Sequence, residues 1–210
     1  MGIGRIIESA ACVTEGLDWL VTREPRFAAA MAVAGEVPLR RRPDGFGALV
    51  DAIVAQQVSV ASARAIGGRL RAAGLEQAEA IAGAGDEALR ACGLSRPKMR
   101  YLRALAAAGL DFDALRSLPD REVVATLVAV PGIGRWTAEV YAMLALGRAD
   151  VFAPGDLALQ EAARGIFGFE ARPSEAELRA MADAWSPWRG VAARLMWAYY
   201  ARVRQREGIT

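Results

Sequence analysis

Two short turns carry the residue types that could do chemistry. Val151-Phe152-Ala153-Pro154-Gly155-Asp156-Leu157 places an aspartate where a proline–glycine turn gives way to a new apolar-periodic run. A carboxylate fixed there can cap the following helix, steady a developing positive charge, or orient and deprotonate a water. Asp150 is the nearest rival, but it stands before the Val-Phe run and outside the turn. Upstream, the apolar run Leu127 to Val130 ends at Pro131, and Gly132-Ile133-Gly134 lead into Arg135-Trp136-Thr137-Ala138. Gly132 and Gly134 permit a tight turn with no side chain over it. The amides opening the next helix then point outward with the positive end of its dipole, which suits one phosphate of a nucleic-acid backbone. Such a hairpin alone would hold DNA without chemistry. Asp156 supplies the possible chemistry.

The elements that must position these turns read as helices. The chain has 210 residues, 54% of them hydrophobic, enough for a sizeable core in one domain or two small lobes. Ala-rich runs with i, i+3, i+4 apolar spacing recur, and alternating Val/Thr/Tyr runs are nearly absent, so an all-α fold is expected. Periodicity predicts helices over residues 7–22, from Glu24-Pro25 onward, and over 46–57, 60–73, 77–82 and 86–92. Others are predicted after Pro97 to about 108, from Pro119-Asp120 to the hairpin, from the hairpin through Leu146, from Leu157 to Gly168, and over about 188–204. Gln56-Gln57 closes the third of these, Ser59 and Ser95 are candidate caps, and Ser174 with Glu177 resembles a capping box. Phe112 and Leu115 fall in a short connection. The polar stretch near 35–45 and the turn near 150–156 are the best places for the chain to cross between lobes.

Composition narrows the chemistry. A net charge of +2 and a pI of about 8.8 point only weakly to nucleic acid. Lys98 is the single lysine and the other basic residues are arginines, which make forked contacts with phosphate. A biased genomic base composition would give the same excess. Arg40-Arg41-Arg42 is either a solvated surface or a phosphate contact. Cys12 and Cys92 match no metal or redox spacing and fit a reducing compartment, and two thiols cannot hold a four-thiolate cluster. With no histidine, the usual zinc sites and His-based triads are excluded. No run reaches the roughly 20 apolar residues of a membrane span, and no secretory signal is evident. A cytoplasmic protein, nucleoid-associated when bound to DNA, is expected.

Several segments, in order, match one family. They are Phe46-Gly47-Ala48-Leu49-Val50-Asp51-Ala52-Ile53-Val54-Ala55-Gln56-Gln57-Val58-Ser59, Gly93-Leu94-Ser95 with Lys98, the hairpin, Asp156, Trp185-Ser186-Pro187-Trp188-Arg189, and Trp197-Ala198-Tyr199. Together they span about residues 17–200. The chain resembles the helix–hairpin–helix base-excision DNA glycosylases, specifically the alkylpurine glycosylases called DNA-3-methyladenine glycosylase II. The helical pattern begins almost at once, so the form without the extra N-terminal domain is expected.

The resemblance implies a two-lobed all-α fold with the active site in the cleft between lobes. Residues 1–43 would pack with a C-terminal lobe of 150–210, and 44–149 would form the lobe carrying the hairpin. It implies that Pro131, Gly132, Ile133, Gly134 and Arg135 anchor the phosphate 3′ of the lesion, with a bound monovalent cation, Na or K, possible there. It makes Asp156 the catalytic carboxylate, with no metal needed for the chemistry and no other cofactor. Gln57, beside Ser59, takes the place of the wedge that fills the vacated stack; otherwise it is a surface amide. Gln56 is less exposed by helical spacing and can bond within the protein. Trp136 and Trp197 align with aromatic residues of the base pocket, where a cationic purine would gain from their faces, and each also has a plausible core role. Val140 and Leu157 fall at pocket positions that are aromatic in some relatives, which suggests a roomier pocket. Relatives with lyase activity place a lysine where Trp136 stands, so a monofunctional hydrolase is expected. Trp188-Arg189 reads as an anchor joining the C-terminal helix to the hairpin lobe. The substrate would be double-stranded DNA containing damaged bases, acted on by a monomer with no obligate protein partner. The alternative is a non-catalytic helix–hairpin–helix protein that binds DNA lesions or junctions.

Overall fold

The computed structural model describes residues 3–206. In chain order its helices are α1 (Ala10–Arg23), α2 (Arg26–Ala34), α3 (Phe46–Ala55), α4 (Val60–Ala72), α5 (Ala78–Gly83) and α6 (Asp86–Ala91). They continue with α7 (Arg96–Ala107), α8 (Phe112–Ser117), α9 (Asp120–Val128) and α10 (Arg135–Leu144). The last are α11 (Leu157–Phe167), α12 (Glu175–Ala182) and α13 (Arg189–Arg206), with a short 3-10 turn over Asp183–Trp185. The fold is all-α; the described residues contain an isolated antiparallel bridge, Ile6 with Arg148, and no strand.

The chain divides into two compact units, residues 1–41 with 142–210, and residues 42–141. The second division falls inside α10 rather than at 149/150, where the sequence reading set it. Residues 147–149 are tied to the first unit by backbone bonds: Ile7 N–H to Gly147 C=O at 2.7 Å, Ala149 N–H to Arg5 C=O at 3.0 Å, and Gly190 N–H to Ala149 C=O at 2.7 Å. That pairing also corrects the first helix. Residues 5–7 are tied into this extended pairing, and α1 begins at Ala10, capped by Ser9 Oγ accepting from Cys12 N–H at 3.4 Å.

In the first unit, Phe27, Phe152 and Phe167 surround Trp185, with ring centroids 5.2, 5.6 and 5.8 Å from it. Ring faces and edges in that range add to the area they bury. Trp188 is an anchor, but to α1: a Cβ at Gly16 would lie 2.8 Å from its ring. In the second unit, Leu49 and Ile53 of α3, Leu70 of α4, Ile81 of α5, Leu102 and Leu105 of α7, and Val123 and Leu127 of α9 form the core, each at most 2% exposed. Phe112–Ser117 is a helix, not a connection, because Asp111 caps it through its carboxylate to Asp113 and Ala114 N–H at 3.0 and 2.9 Å. Ser95 holds the capping position of α7 but makes no side-chain cap bond, whereas Ser59 caps α4 and Ser174 with Glu177 forms the capping box of α12.

Candidate active site

The aspartate turn is built locally. Pro154 and Gly155 close a turn in which Asp156 N–H bonds Ala153 C=O at 3.0 Å, and Gln160 Nε2 donates to Pro154 C=O at 2.8 Å. Asp156 is the N-cap of α11. Its Oδ1 accepts from Ala158 N–H at 3.0 Å and Leu159 N–H at 3.1 Å. A third donor comes from 41 residues away: Trp197 Nε1–H reaches the same oxygen at 3.2 Å. Three N–H groups therefore fix the orientation of this half-buried carboxylate. Trp197 is itself half-buried, with an indole edge on Asp156 and the Arg40 guanidinium 5.6 Å from its ring centroid. Leu157, the first residue of α11, is 56% exposed.

Asp150 is held differently. Arg189 grips it with two forked bonds, Nε to Oδ1 and Nη2 to Oδ2, both 2.8 Å, and Ser186 Oγ donates to Oδ2 at 2.8 Å. A bidentate ion pair spends this carboxylate on tying the start of α13 to the chain before the turn.

The hairpin belongs to the second unit. Gly132 has φ +94°, and a Cβ there would run into the Tyr101 ring, so glycine is required twice over. Ile133 differs from the other hairpin candidates. Its side chain is 3% exposed and its N–H is used within the turn, on Val130 C=O at 3.0 Å, so it anchors the hairpin and has no amide to offer a phosphate. Pro131 and Gly134 are exposed. Arg135 is exposed while its ion-pair partner Glu139, 3.0 Å away one turn later, is buried. Trp136 is 48% exposed, in the first turn of α10, and Val140 is half-buried. A monovalent cation at the hairpin would need backbone carbonyls. Those of Val130 and Gly132 each accept one N–H here and keep a second lone pair, so the donor chemistry fits such an ion.

The turn between α3 and α4 joins the hairpin through a side chain. Gln56 Nε2 donates to Gly132 C=O at 2.9 Å. Gln57 does not continue α3; it is exposed, with φ +56°, in the left-handed region that a non-glycine residue occupies at a cost. Lys98 lies under this turn, 8% exposed, its Nζ donating to Val54 C=O at 2.7 Å. Burial pulls its pKa below the ordinary lysine value. Spacing alone signals neither of these long-range clamps. Among the described residues, no helix is long and apolar enough to cross a membrane.

A glycine hairpin opens one helix and a capped aspartate opens another in this all-α chain, the arrangement expected of a helix–hairpin–helix protein. The chain belongs to the HhH-GPD superfamily of base excision DNA repair proteins, which it matches over residues 50–189. It is 30% identical over 168 residues to DNA-3-methyladenine glycosylase 2 of Escherichia coli, covering 73% of this chain and 57% of that protein. A crystal structure of a DNA-3-methyladenine glycosidase from Bacillus halodurans aligns with TM-score 0.81 and 33% identity, over 96% of this chain and 94% of that one. A Schizosaccharomyces pombe 3-methyladenine DNA glycosylase in complex with abasic DNA aligns with TM-score 0.69 and 25% identity, over 82% and 89% of the two chains. The chain spans about half the length of the curated relatives it matches, 54%, 57% and 43% for three of them.

Proposed function

We propose that this chain is a monofunctional DNA glycosylase. It hydrolyses the N-glycosidic bond of alkylated purines in duplex DNA, first of all 3-methyladenine and 7-methylguanine, and leaves an abasic site. The observation that carries this reading is Asp156, fixed at its turn by three N–H donors on one oxygen. As a purine leaves deoxyribose, positive charge grows at the anomeric carbon, and a carboxylate that need not reorganise lowers that barrier. It can also orient the attacking water and take its proton. Alkylation at N3 or N7 already makes the purine a cation, so the bond breaks without a strong general acid, in keeping with a chain that has no histidine.

The second unit supplies the grip. Gly134 and the first amides of α10 bind a backbone phosphate, with Arg135 beside them. A base inside a duplex must be extracted before it can react. The exposed, left-handed Gln57 is suited to fill the gap, and Trp197, whose N–H is on Asp156, offers its ring to the extruded purine. A lyase would need a free amine at the sugar. Trp136 stands where lyases of this superfamily carry lysine, and Lys98 spends its amine on the Val54 carbonyl. This supports hydrolysis by water.

The test is release of 3-methyladenine from methylated duplex DNA by wild type and Asp156→Asn. Asparagine keeps an oxygen for the cap but removes the charge. Wild type is expected to release the base and the variant to lose nearly all activity while still binding DNA. Equal activity would remove Asp156 from the mechanism. Binding by both without release would make this a non-catalytic lesion- or junction-binding protein.

A further inference from the structure

The Arg40-Arg41-Arg42 run is not absorbed by the function above, and its first residue is built onto the candidate base pocket. Arg40 has φ +52°, a left-handed conformation that a β-carbon disfavours and that its neighbours must enforce. Both neighbours are pinned. Leu39 C=O accepts from Arg194 Nε at 2.7 Å, and Arg194 is fully buried, its other bonds going to Gly190 and Met143 C=O at 2.7 and 3.1 Å. The Arg41 guanidinium fills the space over Gly147 that a Cβ would need. Burial, and then the charges of Arg41 and Arg40, lower the Arg194 pKa to about 10. Held in this way, Arg40 is exposed with its guanidinium 5.6 Å from the centroid of Trp197, the ring whose N–H is on Asp156.

We propose that Arg40 sets the charge selectivity of the pocket, disfavouring purines that arrive as cations and assisting those that leave as anions. The inference rests on the glycosylase reading. When the C1′–N9 bond breaks, its electron pair goes to the purine. A cationic alkylpurine departs neutral; an uncharged purine such as hypoxanthine departs as an anion and takes a proton from solvent, while water adds at C1′ and gives up its proton. A guanidinium beside Trp197 repels the first kind of base in the bound state and stabilises the second kind as its negative charge grows. The same guanidinium competes for the electron-rich indole face that would attract a cationic base.

The experiment compares single-turnover release of hypoxanthine and of 7-methylguanine from duplex DNA by wild type, Arg40→Ala and Arg40→Lys. Wild type is expected to release both. R40A should lower hypoxanthine release about tenfold or more while 7-methylguanine release stays level or rises, and R40K should restore much of the difference. A merely structural role would lower both rates together. Parallel loss on both bases, or no change on either, overturns the proposal, as does a wild type that releases 7-methylguanine but no hypoxanthine. A wild type that releases neither base overturns the glycosylase reading itself. Unchanged unfolding midpoints for R40A and R40K tie any rate difference to the site.

Discussion

Two proline–glycine turns open two helices in this protein, and they use the helix start in opposite ways. Before α11, the capping residue is Asp156, whose own oxygen satisfies the Ala158 and Leu159 amides. Before α10, the residue in that place is Gly134, which has no side chain to offer. The first helix start is closed by an internal anion, whereas the second has no capping side chain at Gly134 and, on the function proposed, meets an external one. The same local motif therefore yields a fixed carboxylate in one unit and, in the other, the helix start proposed above to receive a phosphate. A single side chain separates a catalytic candidate from a backbone anchor.

The comparison is broken most severely at Asp156. D156N is expected to lower single-turnover base release by about a thousandfold, since fixed charge at the reacting centre is worth that much, with duplex affinity within a few-fold of wild type. D156A should lose the same activity and, in a urea melt, about 1 kcal/mol more stability through the missing cap. At the other turn, G132A forces a β-carbon into a left-handed backbone and against Tyr101. It should cost about 3 kcal/mol of unfolding free energy and abolish tight duplex binding. G134A, where a Cβ meets nothing within 4 Å, should leave stability within about 1 kcal/mol and weaken DNA binding alone, measured by titration at fixed salt.

D150N sharpens the distinction between the two carboxylates near the turn. It loosens a partly exposed pair with Arg189, so a stability loss of about 1 kcal/mol is expected with base release largely kept. A loss of release as large as that of D156N would transfer the catalytic role to Asp150. The smallest expected effect separates the cysteines of the two units. The Ser9 hydroxyl, and then the Glu8 and Ser9 backbone, hold the Cys12 thiol down at about 7, whereas Cys92 is buried. Iodoacetamide should label Cys12 with a rate that is half-maximal near pH 7, leaving Cys92 protected. The sign follows from the lowered value. The thiolate's contribution to stability is complete above the ordinary thiol range and is lost as pH falls through about 7.

Much of the positioning machinery was legible because it is local. Ser59, Asp156 and Ser174 each stand just before a helix and bond within three residues, as the sequence reading allowed, whereas the Ser9 cap of α1 fell inside a helix expected to begin at residue 7. Asp111 caps α8 by that same rule, yet the sequence reading made Phe112 and Leu115 a connection, because the periodicity of six residues is too short to register. Ser95 stood at an equally good position and makes no cap bond, so a cap signal marks the place but not the bond. The left-handed Gln57 left no trace, because glutamine is not the residue that such a backbone favours.

Amino-acid order alone determined most of the helices, the two proline–glycine turns and the carboxylate at the second, because caps, breakers and 3.6-residue periodicity act over a few residues. Tertiary packing decided which groups serve those turns. It brought Trp197 to Asp156, Arg40 to Trp197, Gln56 to the Gly132 carbonyl and Arg189 to Asp150. Side chains dozens of residues apart meet only when buried helices fix their register, and nothing in either local stretch names the partner.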